Sequence, residues 1–326
     1  MMNRRKKIVI VGGGLAGLAL AMKFCERNGE VTVVSYQHLK RSHSVCAQGG
    51  INAAIDAKNE GDTPEKHFYD TIKGGDFLAH QPLVRDMCFQ APAIIHLMDR
   101  MGVAFNRTGE GHLDFRRFGG TLYNRTAFAG ATTGQQLVYA LDEQVRRNIH
   151  DGNATALEWH EYLGAAIDSD GICRGAVIHD LKTDEIYTLR ADAVVLATGG
   201  PGQVYGRSTN SVVNTGAAAT TAYLQGAKYA NGEFIQIHPT AIPGQDKLRL
   251  MSESARGEGG RVWVPKKAND NRDPKKIPET ERYYFLEEKY PLFKNLVPRD
   301  VASREIYDIV YNQNMGISGD PMVYLD

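Results

Sequence analysis

The chain has 326 residues, and its 38 Lys and Arg residues balance 38 Asp and Glu residues, so the formal net charge is zero. This length allows a large buried core and about two domains. The neutral balance predicts no nucleic acid or other polyanion as a partner. The basic start, MMNRRKK, leads into only four apolar residues before a run of glycines, too few for a signal peptide or a membrane-spanning helix. We therefore expect the chain by itself to be soluble and cytoplasmic.

The cysteines are scattered along the chain without a CxxC spacing, at Cys25, Cys46, Cys88 and Cys173. They predict neither a zinc site nor a disulfide framework, and they favour a reducing compartment. No metal site is predicted from any other pattern. Cys46 stands out only because it shares a loop with His43.

The first elements of the chain predict a βαβ unit. Residues 7–11, KIVIV, form the short β-branched run that is typical of a buried parallel strand, and apolar residues then recur at helical spacing from Leu15 to Cys25. A second strand is expected at Glu30–Ser35. Two helices should follow, near 63–72 and 82–101.

The next segments predict a further helix and then β-structure. Leu137, Leu141 and Val145 lie on one face of a helix that begins after Thr133. Residues 154–190 contain short strands broken by SDG and KTDE, which predicts a β-meander. A buried strand at 192–200, a helix near 212–225 and a strand near 234–237 follow. The charged loops after Pro239 indicate a boundary, so we predict a first domain at residues 1–237 and a second domain at residues 238–326.

Gly12, Gly14 and Gly17 form a GxGxxG motif between the first strand and the first helix, which predicts a dinucleotide site. Ser35 stands where a ribose-binding acid is expected at the end of the second strand, so the motif departs from the usual NAD pattern. The motif lies at the N-terminus, and a second glycine turn returns far downstream at 198–200. Together these features favour a flavin dinucleotide. The predicted contacts of the two turns are Gly12, Gly13, Gly14, Gly17, Ser35, Thr198, Gly199 and Gly200.

Six motifs then resemble one family. They are RSHSVCAQGG at 41–50, FRRFGG at 115–120, RTAFAGATTGQQLVYALDEQVRR at 125–147, NGEFIQIHPTAIPG at 231–244, SESARGEGGR at 252–261 and LVPRDVASREI at 296–306. The chain resembles the flavoprotein subunit of succinate dehydrogenase and fumarate reductase, particularly the Bacillus-like, menaquinone-linked branch. The resemblance covers residue 7 to the last residue. It implies an α/β fold: a Rossmann-like FAD-binding domain with an inserted β-meander, followed by the start of an α+β capping domain.

The resemblance implies a covalent cofactor. His43 matches the histidine that carries FAD in this family through a bond from an imidazole nitrogen to the 8α-methyl carbon of the flavin. Such a bond holds the flavin and makes it a stronger oxidant, as the oxidation of succinate requires. The matching FAD contacts in this loop are Arg41, Ser42, His43, Ala47, Gln48, Gly49 and Gly50.

The resemblance also implies a site for a four-carbon dicarboxylate. Its substrate-binding residues match His238, Ser252, Gly49 and Phe118, and a serine at 252 keeps the hydroxyl of the family's usual threonine. Arg299 matches the proton-transferring arginine, and Glu253 and Arg256 match the rest of the proton relay. Pro298 and Asp300 mark a helix start, where a cation is disfavoured, and Ala302, Ile306, Ile309 and Val310 would form the buried face of that helix.

Two differences from the family pattern are visible. Ala217 replaces an acid that often contacts FAD, which removes one contact. The second catalytic histidine, the substrate-clamping arginine and the later FAD-binding segment of the family are expected to follow residue 326.

The implied function is succinate:quinone oxidoreduction. Succinate would give a hydride to FAD, and electrons would leave through an iron–sulfur subunit and a membrane-anchor cytochrome b subunit to quinone. The chain would then lie on the cytoplasmic side of the cell membrane, held there by its partners. Two alternatives stay open: a soluble fumarate reductase or L-aspartate oxidase, relatives that lack the linking histidine, and a flavin-binding fragment without turnover.

Overall fold

The computed structural model describes residues 4–242, 244, 248–317 and 320–326, so the first three residues of the basic start and Pro243 of the fourth motif lie outside it. Its strands β1 to β15 are Lys7–Val11, Glu30–Ser35, Ile51–Asn52, Phe115–Arg116, Thr126–Ala127, Ala154–Glu158, His160–Ile167, Cys173–Asp180, Ile186–Arg190, Ala193–Leu196, Ala241–Ile242, Arg249–Leu250, Val262–Pro265, Arg282–Tyr283 and Tyr324–Leu325. Its helices α1 to α8 are Leu15–Glu26, Pro64–Gly74, Gln81–Arg100, Thr133–His150, Ala217–Leu224, Ser254–Gly257, Phe285–Lys289 and Arg299–Tyr307.

A parallel sheet in the order β10-β1-β2-β6 organises the first part of the chain. The side chains of β1 alternate between two cores, as the pleat of a strand requires. Ile8 and Ile10 pack with α1 and α4 on one face, and Val9 and Val11 join a second core on the other face. The predicted βαβ unit and the Rossmann-like fold class are confirmed.

The predicted β-meander is present but shorter than expected. Strands β7, β8 and β9 form an antiparallel sheet, and Tyr162, Ala176 and Ile178 pack it on the second core. The prediction that all of residues 154–190 belong to the meander is wrong, because β6 pairs in parallel with β2. Ala154 is buried in the core shared with α1 and α4, and this burial keeps β6 in the main sheet.

The predicted helices are present with shifted ends. The helices expected near 63–72 and 82–101 are α2 and α3, and the helix with Leu137 on its buried face is α4. The helix expected near 212–225 starts later, at Ala217. Gly216 before it has a left-handed backbone with φ of +82°, which ends any helix that would enter from the preceding residues.

Two strand predictions are wrong. The strand within 192–200 is β10. It is half-buried or exposed rather than buried, because among the described strands it pairs with β1 alone, at the edge of the sheet. Residues 234–237, all of which are described, form no strand. The backbone N–H of Phe234 bonds locally to the carbonyl oxygen of Asn231 at 3.1 Å, so it is not available for a ladder.

The last part of the chain packs around a separate core. Strands β14, β13 and β15 form an antiparallel sheet in that order, with Trp263 stacked on Tyr324 at 4.6 Å between ring centroids. On the opposite face, α7 and α8 contribute Phe285, Leu286 and Ala302 to the core. This is the expected opening of an α+β capping domain, and the boundary after residue 237 stays a prediction. In the described ranges no helix is long and apolar enough to cross a membrane.

Candidate active site

The glycine-rich turn between β1 and α1 makes contacts that only glycine permits. Gly12 has φ of +116°, and a Cβ atom there would lie 2.3 Å from the carbonyl oxygen of Ala197. A Cβ on Gly17 would lie 1.9 Å from the carbonyl oxygen of Gly12, so α1 begins in direct contact with the turn. Ala197 leads into the second glycine turn at 198–200, where Gly199 has φ of +75°. The two predicted cofactor segments therefore meet at one edge of the sheet.

The loop at 41–50 lies against this turn. The N–H of Leu15, at the start of α1, donates to Ser44 Oγ at 3.3 Å. On the other side, the N–H of Gly134 in α4 donates to the carbonyl oxygen of Ala47 at 2.8 Å. The loop is thus held between the first turns of two helices, whose N–H groups favour an anion such as a pyrophosphate.

Two side chains of this loop face the region that a dinucleotide would occupy. Ser42 Oγ is buried and has no hydrogen-bond partner among the residues that the structure describes. It lies 3.9 Å from the position of a Cβ on Gly14. An unsatisfied buried hydroxyl beside a phosphate-binding turn fits a bound FAD. The ring of His43 is oriented from another segment, because the N–H of Ser211 donates to His43 Nδ1 at 3.2 Å.

The glycine pair at the end of the loop closes against neighbouring backbone and an aromatic ring. Gly50 has φ of +129°, and a Cβ there would lie 2.5 Å from the carbonyl oxygen of Ala127. A Cβ on Gly49 would lie 2.6 Å from Cζ of Phe118, which is itself buried. The structure therefore brings two of the predicted substrate-binding residues, Gly49 and Phe118, into contact.

A carboxylate lies beside Ser35 although the second strand has no acid at its end. Ser35 pairs in parallel register with Glu158, the last residue of β6. Ser35 Oγ lies 3.3 Å from the position of a Cβ on Gly13, which places this pair next to the glycine turn. Glu158 Oε1 accepts from the N–H of Leu39 at 3.2 Å. Arg41 lines an open groove nearby, together with His38, Lys40, Val45, Gln135 and Tyr139.

His238 has a buried nitrogen without a partner. Its Nδ1 atom lies 2.8 Å from the carbonyl oxygen of Thr240, which orients the ring. Its Nε2 atom is buried and makes no hydrogen bond within the described part of the chain. Burial, with a smaller effect from the nearby Arg299 cation, lowers the pKa of His238 to about 4. A neutral imidazole with an unused buried nitrogen fits a hydrogen bond to a ligand.

Arg299, Glu253 and Arg256 form a continuous hydrogen-bonded chain. Arg299 Nε and Nη2 each lie 2.8 Å from Glu253 Oε2, and Arg256 Nη2 lies 3.0 Å from Glu253 Oε1. Glu253 is 2% exposed and Arg256 is fully buried, whereas Arg299 is 32% exposed. Arg299 Nη1 also donates to Gln236 Oε1 at 2.6 Å, and Arg256 Nη1 donates to the carbonyl oxygen of Asn295 at 2.7 Å. Burial lowers the pKa of Arg256.

Helix α8 holds Arg299 at its first position, directly after Pro298. The predicted helix start is therefore confirmed. The buried face of α8 is confirmed at Ala302, whereas Ile306 is half-buried. Ile309 and Val310 are buried as predicted, but they lie beyond the end of α8, in a π-helical turn at Asp308–Asn312.

Ser252 belongs to a hydroxyl pair next to the relay. Its hydroxyl donates to Ser254 Oγ at 3.0 Å and accepts from the Ser254 N–H at 3.2 Å. Ser254 Oγ also accepts from Arg116 Nη2 at 3.0 Å. The same Arg116 nitrogen donates to the carbonyl oxygen of Gly49 at 2.7 Å. Sequence reasoning missed Arg116 and Glu158, because their positions depend on which strands lie side by side.

These contacts define a class of protein: an α/β protein with a dinucleotide-type glycine turn at the sheet edge and a hydrogen-bonded Arg–Glu–Arg chain. The family model described as "FAD binding domain" matches residues 7–326, so the chain belongs to that family. The prediction of FAD as the cofactor is confirmed at this level, and the assignment of individual residues to its site stays a prediction.

The chain is similar to particular members of one group. It is 61% identical over 322 residues to the succinate dehydrogenase flavoprotein subunit of Bacillus subtilis, covering 99% of this chain and 53% of that protein. It is 32% identical to the fumarate reductase flavoprotein subunit of Mycobacterium tuberculosis, covering 100% of this chain and 54% of that protein. A structure described as quinol-fumarate reductase with menaquinol molecules superposes with a TM-score of 0.82 at 30% identity, covering 98% of this chain and 54% of that chain.

These similarities confirm the resemblance that the six motifs indicated. The chain spans about half the length of the curated relatives it matches.

Proposed function

We propose that this chain is the N-terminal part of a succinate dehydrogenase flavoprotein subunit, which oxidises succinate to fumarate. The observation that carries the proposal is the hydrogen-bonded Arg299–Glu253–Arg256 chain near His238, whose buried Nε2 atom has no hydrogen-bond partner among the described residues. FAD, when bound, supplies the acceptor for a hydride. The complete subunit would pass electrons to an iron–sulfur subunit and a membrane-anchor cytochrome b subunit, on the cytoplasmic side of the membrane.

The substrate site combines hydrogen-bond donors with an apolar wall. Ser252 would donate to a carboxylate, because a dicarboxylate needs donors and cations and few competing acceptors. The Nδ1 proton of His238 is used by the carbonyl oxygen of Thr240, so His238 would donate from Nε2 as an imidazolium, the form that a bound carboxylate favours. The ring of Phe118, which touches Gly49, would pack against the carbon chain of the substrate between the loop at 41–50 and the relay. This placement puts the carbon that loses a hydride on the Gly49 side and the carbon that loses a proton on the Arg299 side.

Proton transfer is assigned to Arg299. Its side chain is partly exposed, and the buried Glu253 accepts from both Arg299 and Arg256. A guanidinium is normally always charged, so a proton-accepting arginine needs an environment that disfavours the cation. Arg299 meets opposing effects: the start of α8 and the second cation, Arg256, disfavour a positive charge, and the Glu253 carboxylate favours it and could exchange the proton.

The covalent bond to the flavin is assigned to His43. Because Nδ1 of His43 accepts from the Ser211 N–H, we assign the bond to Nε2. The presence of this histidine favours succinate dehydrogenase over a soluble fumarate reductase or an L-aspartate oxidase, which lack the linking residue. The chain of 326 residues by itself would bind flavin without turnover.

The adenosine ribose of FAD is assigned to Ser35 and Glu158, which end neighbouring strands beside the glycine turn. Glu158→Gln should therefore weaken FAD binding when the apoprotein of the full-length subunit is titrated with FAD. Glu161→Gln is the matched control, because Glu161 lies on β7, the next strand in sequence, which belongs to a different sheet. Equal FAD affinity in both variants would remove Glu158 from the site.

The test of the proposed function uses the full-length subunit loaded with FAD. Under anaerobic conditions succinate should bleach the oxidised flavin absorbance, and malonate should compete with succinate. A flavin that succinate leaves oxidised would overturn the proposal.

A further inference from the structure

Arg116 joins the two halves of the candidate site. It lies on β4, and its Nη2 atom donates both to the carbonyl oxygen of Gly49, at 2.7 Å, and to Ser254 Oγ, at 3.0 Å. The first partner belongs to the glycine pair of the loop at 41–50, and the second belongs to the segment that carries Ser252. We propose that Arg116 is a positioning residue that sets the Ser252 hydroxyl and the Gly49 peptide for dicarboxylate binding. This inference rests on the proposed function.

The surroundings of Arg116 do not resemble those of a stabilising ion pair. Its side chain is 14% exposed, yet its carboxylate neighbour is Glu258, which is 71% exposed and lies 3.3 Å away. Ion pairs with such an exposed partner contribute little to stability. The guanidinium carbon instead lies 4.2 Å from the ring centroid of Phe128 and 5.5 Å from that of Phe118.

The guanidinium is buried at some cost. Burial lowers the pKa of Arg116, and its Nε atom has no hydrogen-bond partner in the ranges that the structure describes. A buried cation with an unused donor costs free energy, and a functional role of its remaining contacts would explain why this cost is tolerated. Apart from the surface contact with Glu258, the hydrogen bonds that Arg116 makes to described residues reach the candidate site, at Ser254 Oγ and at the carbonyl oxygens of Gly49 and Gln48.

The effect on Ser252 passes through Ser254. Ser254 Oγ accepts from Arg116 and from the Ser252 hydroxyl, so both of its lone pairs are used. When a carboxylate enters, the Ser252 hydroxyl turns to it, and Ser254 turns its own proton to Ser252. Arg116 keeps the Ser254 oxygen in place for both arrangements. Without Arg116 the Ser254 side chain is free to rotate, and the Ser252 hydroxyl loses its orientation.

The effect on Gly49 passes through the peptide plane. In a trans peptide the C=O and the following N–H point in opposite directions. A carbonyl of Gly49 that is held by Arg116 therefore directs the N–H of Gly50 away from Arg116. The same contact neutralises a carbonyl oxygen that would otherwise repel a substrate carboxylate.

The experiment measures malonate binding to the FAD-loaded full-length subunit from the change in flavin absorbance. We expect Arg116→Gln to raise the Kd about tenfold to a hundredfold, as for a lost hydrogen bond to a charged group. Arg116→Lys should recover part of the affinity, because one ammonium group replaces only part of the fork. Arg117→Gln is the matched control, since Arg117 is half exposed and lies 3.5 Å from Glu60, and it should change the Kd less than about twofold.

A double variant separates positioning from a general structural role. If Arg116 acts through Ser254, then Arg116→Gln combined with Ser254→Ala should bind malonate about as weakly as Arg116→Gln alone. A purely structural role predicts that the two effects multiply, and that result would overturn the inference. An unchanged Kd in Arg116→Gln would overturn it as well.

Two further outcomes have defined meanings. If Arg116→Gln does not retain FAD, the same comparison is made with Arg116→Lys, Ser254→Ala and the double variant that combines them. Unchanged malonate affinity in all three variants would overturn the inference. If the wild-type subunit shows no response to malonate, the proposed function fails and the inference fails with it. A responding wild type with an unaffected Arg116 variant removes the inference alone.

Discussion

Replacing Arg299 with lysine in the full-length subunit tests whether this residue transfers a proton or only supplies charge. Arg299 contacts two side chains through its guanidinium. Its Nε and Nη2 atoms each lie 2.8 Å from Glu253 Oε2, and its Nη1 atom lies 2.6 Å from Gln236 Oε1. A single ammonium nitrogen does not reproduce this fork, but it keeps the positive charge. We therefore expect kcat for succinate oxidation to fall about a hundredfold to ten-thousandfold, the usual contribution of positioned acid–base catalysis.

The assay separates binding from turnover. Flavin reduction by succinate is followed after rapid anaerobic mixing, and malonate binding is measured from the flavin difference spectrum. The Kd for malonate should change by less than about fivefold, because the charge is retained. Arg304→Lys is the matched control: Arg304 lies on the same helix, is 70% exposed and pairs with Asp300, so both quantities should match the wild type.

One result would refute the reasoning. If Arg299→Lys keeps kcat within about tenfold of the wild type, then positioned proton transfer by the guanidinium is absent. A rise confined to KM would show that Arg299 only clamps substrate, and Glu253 would become the next candidate for the proton-transfer group.

Further predictions concern the cofactor, the substrate and stability. In the full-length subunit His43→Ser should release FAD on acid precipitation, whereas the wild-type pellet stays yellow; a yellow variant pellet would mean that another residue carries the bond. His238→Ala and Ser252→Ala should each weaken succinate and malonate binding by about 1–3 kcal/mol with FAD content intact, and unchanged affinity in both would move the site elsewhere. Burial lowers the pKa of His67 to about 4, so between about pH 6.5 and 4 the unfolded chain is protonated at this histidine and the folded chain is not. The free energy of unfolding therefore falls as the pH drops from about 6.5 towards 4. The slope of Tm against pH in that window should flatten in His67→Gln but not in the exposed His150→Gln, and equal slopes in the two variants would contradict the assignment.

The parts of the fold that sequence reasoning predicted correctly depend on short-range patterns. The strand, glycine turn and helix from Lys7 onwards follow from a β-branched run, a glycine motif and apolar residues at helical spacing. The start of α8 follows from Pro298. In each of these cases the residues that determine the structure lie within a few positions of one another.

The parts that sequence reasoning predicted wrongly depend on distant partners. The sequence of β6 does not distinguish it from the strands of the meander that follows. Its pairing with β2 and the burial of Ala154 place it in the parallel sheet. β10 is rich in Val and reads as buried, but its place at the sheet edge exposes it. Residues 234–237 have strand-forming side chains, yet their backbone is used in local turns.

The same distinction applies to the candidate site. The motifs identified His238, Glu253 and Arg299 through family resemblance, and the structure brings these residues together. Arg116 and Glu158 were missed because each acts through a partner that is remote in sequence. Neither belongs to a pattern that local periodicity or spacing reveals.

The FRRFGG segment contacts both the loop at 41–50 and the Arg299–Glu253–Arg256 chain. The ring of Phe118 fills the space above Gly49, where a Cβ would lie 2.6 Å from it. One residue further, a Cβ on Gly119 would lie 1.9 Å from Oε1 of the buried Glu253. Neighbouring residues of one backbone segment therefore contact both the glycine pair of the loop at 41–50 and the carboxylate that joins Arg299 to Arg256. A side chain at Gly119 would force the Glu253 carboxylate to shift, and this carboxylate accepts from Arg256 through Oε1 and from Arg299 through Oε2, so we expect Gly119→Ala to disturb both hydrogen bonds.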